Sequence, residues 1–278
     1  MATPTEPDWD VYTRRPFVFG GIRHDVLRGG DSGPVVLLLH EIPTLSWRTV
    51  LLADHVRARG FRIVMPLLLG GIRRKPTNPI GTALAIAEVA PRILEACVSW
   101  QFVALAQRRT SPITSWLLEL ARQETAAAGR RQVGVIGMCF SGSFALATAI
   151  DPVVGVAVVS QPALPFAWSV LGRIPGQSEA VGLDDEDWQR LLDRRSADDV
   201  CIRTLRFSKD VKVPAARVAR IKQFLAPDER FDSIESQDPA AHSVLTDATE
   251  VPKDPSTADD IRRALDSVVG TLQERLVD

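Results

Sequence analysis

The sequence predicts an α/β protein, with a mostly parallel central sheet and helices on both faces. Three observations point there. Short apolar runs, β-branched or leucine-rich, alternate along the chain with stretches of helical periodicity. These runs lack polar alternation, the pattern of strands buried on both faces. One of them, Gln132 to Ile136, leads into a turn of small residues around a cysteine, with a helical pattern directly behind it.

Five runs read as strands: Pro34 to Leu39, Arg62 to Met65, Gln132 to Ile136, Val153 to Val159 and Cys201 to Phe207. The helix from Trp47 to Arg59 stops at Gly60, which suits the left-handed conformation of a helix end. A second helix, Ser141 to Ile150, follows the cysteine turn. Asp184, with Asp187 three residues on, reads as a capping box ahead of Trp188, Leu191 and Leu192. Pro214 fits the first turn of a helix reaching Leu225. Thr257 opens a last helix whose Ile261, Leu265, Val268, Leu272 and Leu276 form one stripe. The stretch from Ala83 to Ala128 is helical in pattern, interrupted by Arg108 to Pro112. Its apolar positions (Ile93, Leu94, Val98, Trp100, Phe102, Leu105, Ile113, Trp116, Leu117, Leu120) are expected to pack as core, with a lid over a pocket as the alternative. Strand-helix alternation of this kind places ligands at the carboxyl ends of the strands.

Composition excludes several classes. Lys and Arg number 33 against 34 Asp and Glu, so no excess positive charge attracts nucleic acid or an anionic membrane. No Pro/Ser/Gly-rich linker divides the 278 residues, and a single domain spanning 1–278 is expected. Cys97, Cys139 and Cys201 are odd in number and form no CxxC pair, which argues against a disulfide framework and a zinc site. The first residues, with Glu6, Asp8 and Asp10, lack the basic and apolar stretches of a signal peptide, and no apolar run approaches the roughly 20 residues of a membrane span. The expected setting is the cytoplasm. The expected partner is a small molecule, with no metal or organic cofactor, and the chain is expected as a monomer or homodimer.

The segment Gly137-Met138-Cys139-Phe140-Ser141-Gly142 carries the chemistry. A tight strand-to-helix turn strains the backbone of its central residue and needs small neighbours for close packing. Gly137, Ser141 and Gly142 supply them. At the start of a helix, the dipole and the free N–H groups favour thiolate over thiol. The arrangement is that of a nucleophile elbow with sulfur in place of the serine oxygen.

A thiol nucleophile needs a base, and the base an orienting acid; on an elbow fold the chain order is nucleophile, acid, histidine. Of His24, His40, His55 and His242, only His242 lies beyond the last core strands. Asp210 follows the strand ending at Phe207, where the acid belongs, while Asp198, Asp199 and Asp238 are rivals. His40-Glu41-Ile42 follows the strand Pro34 to Leu39, in the loop that donates one N–H to an oxyanion hole; the residue after the nucleophile donates the other. This nominates the amides of Ile42 and Phe140. Burying Glu41 unpaired is costly, so it is expected to meet an arginine or to face the thiol. His40 reads as a packed strand-end residue.

These segments, with Lys209-Asp210-Val211-Lys212-Val213-Pro214 and Ala241-His242-Ser243, resemble the dienelactone hydrolase family of the α/β-hydrolase superfamily, in the expected order over about three quarters of the chain. The resemblance implies an α/β-hydrolase fold and ester or lactone hydrolysis. It implies Cys139 as nucleophile, His242 as base, Asp210 as its orienting acid, and Glu41 as the carboxylate that contacts the resting thiol and helps ionise it. The chain departs from the pattern at Ser141, where the family has glycine, and at Thr246, where dienelactone-cleaving members have an arginine that clamps the substrate carboxylate. Arg73 or Arg74 is the candidate for a second such arginine, and Pro162, Pro165, Phe166 and Trp168 are candidates to wall a pocket. The alternative to an enzyme is a non-catalytic ligand-binding descendant of the fold, or a thiol redox sensor.

Overall fold

The structure, a computed structural model, describes residues 6–78, 83, 87–102, 110–163, 179–197, 199–224, 231–236, 238, 240–249 and 255–277. The apolar runs form strands where the sequence places them. They are β3 (Val35–Leu39), β5 (Arg62–Pro66), β7 (Val133–Met138), β8 (Val154–Ser160) and β9 (Cys201–Phe207), with β7, β8 and β9 buried at every position. Side chains alternate across a strand, so a continuous apolar run serves two layers. Val35, Leu37 and Leu39 join one core, with Val135, Ala157 and Val159. Val36 and Leu38 join the opposite one, with Ile136, Val156 and Val158.

Helices close both faces. On the first, α3 (Pro112–Ala127) contributes Ile113, Trp116, Leu117 and Leu120, and α4 (Gly142–Thr148) contributes Phe144 and Ala145. On the second lie α1 (Trp47–Arg57), through Val50, Ala53 and Val56, and α8 (Ala258–Leu276). The stripe Ile261, Leu265, Val268, Leu272 and Leu276 is buried in full. Further elements are α2 (Val89–Val98), α5 (Asp185–Ser196), α6 (Ala215–Phe224) and α7 (Val244–Asp247). Asp184 caps α5 by accepting from the Asp187 N–H at 2.8 Å, but the Asp187 carboxylate turns to Arg190 at 3.2 Å. The expected box is therefore a one-sided cap. Of the core expected in the Ala83–Ala128 stretch, Phe102, Ile113, Trp116, Leu117 and Leu120 are buried, Leu94 and Trp100 face solvent, and Leu105 lies outside the described residues.

Among the described residues the sheet has eight strands in the order β1-β2-β5-β3-β7-β8-β9-β10, parallel from β5 to β10. β1 (Thr13–Phe19) and β2 (Ile22–Gly29) add an antiparallel hairpin at one edge, and β10 (Phe231–Ile234) forms the other. Gly20 and Gly21, at φ 58° and 77°, make the hairpin turn, as a two-residue turn that continues the strand twist requires. Two short strands, β4 (Leu45–Ser46) and β6 (Ile72–Arg73), pair separately. No described helix is long and apolar enough to cross a membrane. Because β3, β7, β8, β9 and β10 are parallel, the loops bearing Glu41, Cys139, Gln161, Asp210 and His242 all leave the sheet at the same end.

Candidate active site

β7 ends at Met138 and the chain turns through Cys139 at φ 57°, a left-handed conformation that costs a side-chain-bearing residue roughly 1–3 kcal/mol. A 3-10 turn, Cys139–Ser141, then leads into α4. A Cβ on Gly137 would stand 2.3 Å from the Ser141 carbonyl oxygen and 2.7 Å from the Ala145 Cβ, so only glycine fits. Ser141 makes the turn self-bracing. Its Oγ accepts from the Met138 N–H at 2.9 Å and lies within donating distance of the carbonyls of Leu39 (3.0 Å) and Met138 (2.9 Å). The Phe140 ring packs edge-on against Phe144 and Phe102, with centroids 5.5 and 5.9 Å away. The Cys139 side chain is 3% exposed and clusters with Ala163, Val213 and Val218.

Asp210 stands in the turn after β9, where its N–H donates to the Phe207 carbonyl at 3.2 Å and its Oδ1 accepts from the Lys212 N–H at 3.0 Å. Its Oδ2 accepts from Nδ1 of His242 at 2.6 Å, and both side chains are buried. The imidazole pKa is pushed up to about 10. Burial opposes the charged ring, but the negative charge of Cys139, the hydrogen bond to Asp210 and the Asp210 charge together outweigh it. With Nδ1 held by Asp210, Nε2 is the ring nitrogen available to the sulfur. Two of the three rival carboxylates fall among the described residues. Asp199 precedes β9, at the opposite end of the strand, with its carbonyl bound by Arg194 at 3.0 Å. Asp238 Oδ1 accepts from the Ala240 N–H at 2.8 Å, and Asp198 lies outside the described residues.

At the end of β3, His40 is fully buried. Its Nδ1–H donates to the Glu41 carbonyl at 2.7 Å, and its Nε2 accepts from the N–H groups of Leu68 (3.0 Å) and Leu69 (3.4 Å). Burial pushes its pKa down to about 4, so the ring is neutral and its role is packing. Glu41 is hydrogen-bonded at both of its carboxylate oxygens. Its Oε1 accepts from Nε2 of Gln161 at 2.6 Å and its Oε2 from the Ser243 hydroxyl at 2.8 Å. Gln161 is the residue sequence reasoning missed. The available signal was a long polar side chain two residues past the apolar run Val153 to Val159.

Arg73 is ion-paired with Glu88 at 2.8 Å, and the Arg74 guanidinium stacks on the Trp9 ring at 5.1 Å. Pro165, Phe166 and Trp168 lie outside the described residues. Ile42 packs against the core on the Phe140 side of the sheet, and Thr246 is buried on α7. Among the described residues no cluster of three or more His, Cys, Asp or Glu side chains is arranged to hold a metal ion.

This sheet order, with the strand-turn-helix around Cys139, defines the α/β-hydrolase fold. A dienelactone hydrolase from Anabaena variabilis superposes with a TM-score of 0.55 at 13% identity, over 95% of this chain and 98% of that one. A thioesterase domain from the curacin biosynthetic pathway gives 0.50 at 12% identity, over 91% and 99%. A puromycin-hydrolyzing peptidase from Mycobacterium tuberculosis gives 0.55 at 16% identity, over 95% of this chain and 40% of that one. No protein-family model and no curated protein matches the sequence.

Proposed function

We propose that the chain is a thiol hydrolase that cleaves a small ester or lactone through a covalent thioester on Cys139. One observation carries the reading: the strained elbow cysteine leaves the sheet at the same end as an imidazole whose Nδ1 is held by a buried aspartate 2.6 Å away, and its charge is the largest influence raising that imidazole's pKa. In this reading Cys139 is the nucleophile, His242 the general acid and base, and Asp210 the group that orients the ring. The sulfur attacks the substrate carbonyl and the oxyanion rests on the Ile42 and Phe140 N–H groups, each contributing about 3 kcal/mol to lowering the barrier. The imidazolium protonates the departing alkoxide. The neutral ring then takes a proton from water, whose attack on the thioester releases the acid and restores the thiolate.

Solved neighbours that include a dienelactone hydrolase and a thioesterase domain support acyl transfer as the reaction class. The cytoplasm is the proposed setting, since a reducing compartment keeps a catalytic thiol from oxidising. The test is hydrolysis of p-nitrophenyl acetate. Cys139→Ala abolishes turnover in this reading, and undiminished turnover refutes it.

A further inference from the structure

We propose that Gln161 is a positioning residue that braces the His242 loop through Glu41; the inference rests on Cys139 and His242 acting as a pair. Gln161 sits at the carboxyl end of β8, fully buried, at φ 33°. Its backbone N–H donates to the Leu205 carbonyl at 2.6 Å, which fixes the residue against β9. Its side chain then bridges two loops. Nε2 donates to Glu41 Oε1 at 2.6 Å, while Oε1 accepts from the Val244 N–H at 3.4 Å and from the Ser160 hydroxyl. Glu41 in turn accepts from the Ser243 hydroxyl at 2.8 Å.

The two residues directly after His242 are thus tied, Ser243 through Glu41 and Val244 directly, to one buried amide. The donor and acceptor inventory fixes which way the amide points. A carboxylate accepts only and a backbone N–H donates only, so the nitrogen faces Glu41 and the oxygen faces Val244. With both Glu41 oxygens engaged by Gln161 and Ser243, the carboxylate works as a strut between strand end and histidine loop. A brace of this kind decides whether the imidazole meets the sulfur, and a misplacement of about 1 Å costs on the order of a hundredfold in rate.

The test exploits the shape of the amide. In Gln161→Glu the introduced carboxyl, when protonated, donates to Glu41 and accepts from Val244 as the amide does. Once ionised, it sets two carboxylates face to face, which a shared site does not tolerate. The probe is iodoacetamide alkylation of Cys139, followed on the Cys139 peptide by mass spectrometry from mildly acidic to mildly alkaline pH, with circular dichroism to monitor folding.

We expect Gln161→Glu to match the native rate at acid pH and to fall by about tenfold or more as pH rises. Gln161→Leu is slow throughout. A loss in Gln161→Glu that is uniform across pH, or rates equal to native in both variants, would each overturn the proposal. Alkylation reads the brace without any substrate. If the native protein hydrolyses no ester, yet Gln161→Glu shows this pH pattern, the hydrolase reading is defeated and the brace stands.

Discussion

Nδ1 of His242 donates to Oδ2 of Asp210 at 2.6 Å, between side chains that are 9% and 1% exposed. A buried bond of this kind fixes both the ring's orientation and its tautomer. Asp210→Asn replaces the acceptor with a group able to present an N–H to the ring, which favours the wrong tautomer. We expect kcat/KM for p-nitrophenyl acetate to fall roughly 10²- to 10⁴-fold with the circular dichroism spectrum unchanged. Steady-state kinetics on the purified variant checks it.

The elbow responds to changes that remove no reacting atom. In Gly137→Ala the new methyl meets the Ser141 carbonyl at 2.3 Å, so backbone must move. The expected cost is about 2–4 kcal/mol in urea unfolding. Ser141→Ala leaves the buried Met138 N–H without its 2.9 Å acceptor and frees the elbow from the Leu39 carbonyl. The expected cost is about 1–3 kcal/mol.

The charge on His242 belongs to the pair. Its pKa stands at about 10 against an ordinary 6.5, with the Cys139 charge the largest influence raising it. A raised histidine pKa contributes stability that is fully present below pH 6.5 and is lost as pH climbs through about 10. In Cys139→Ala that contribution shrinks, and the His242 midpoint drops by roughly a unit or more. NMR titration of the ring protons reads it directly, since the chain has only four histidines.

His40 has the opposite sign. Its pKa is depressed to about 4 by burial, so the unfolded chain takes up a proton that the folded chain refuses. Stability is lost as pH falls from 6.5 towards 4, by about 3 kcal/mol once both forms are protonated. Urea midpoints across this interval check the size of the loss, and His40→Gln reduces the slope.

What the sequence disclosed followed from strong local rules. Strands buried on both faces announce themselves as unbroken apolar runs, and Gly137 to Gly142 is a spacing that a tight turn imposes on its neighbours. The order of Cys139, Asp210 and His242 along the chain was enough to nominate residues that the fold brings to one end of the sheet. The β1-β2 hairpin escaped despite its Gly20-Gly21 turn, because Arg14, Arg15 and Pro16 break the strand pattern and β1 is largely exposed. The partners of Glu41 escaped for another reason. Gln161 and Ser243 lie 120 and 202 residues away, and only the sheet order makes them neighbours. The exposure of Leu94 and Trp100 is likewise a tertiary fact, since helical periodicity reports a stripe and not what covers it.

Mass spectrometry of the protein quenched during turnover of p-nitrophenyl acetate tests the central claim most directly. The account predicts one acetyl group on the peptide carrying Cys139, accumulating further in His242→Asn, where water is no longer activated. Hydrolysis that proceeds with no acyl group on Cys139 in either protein would contradict it.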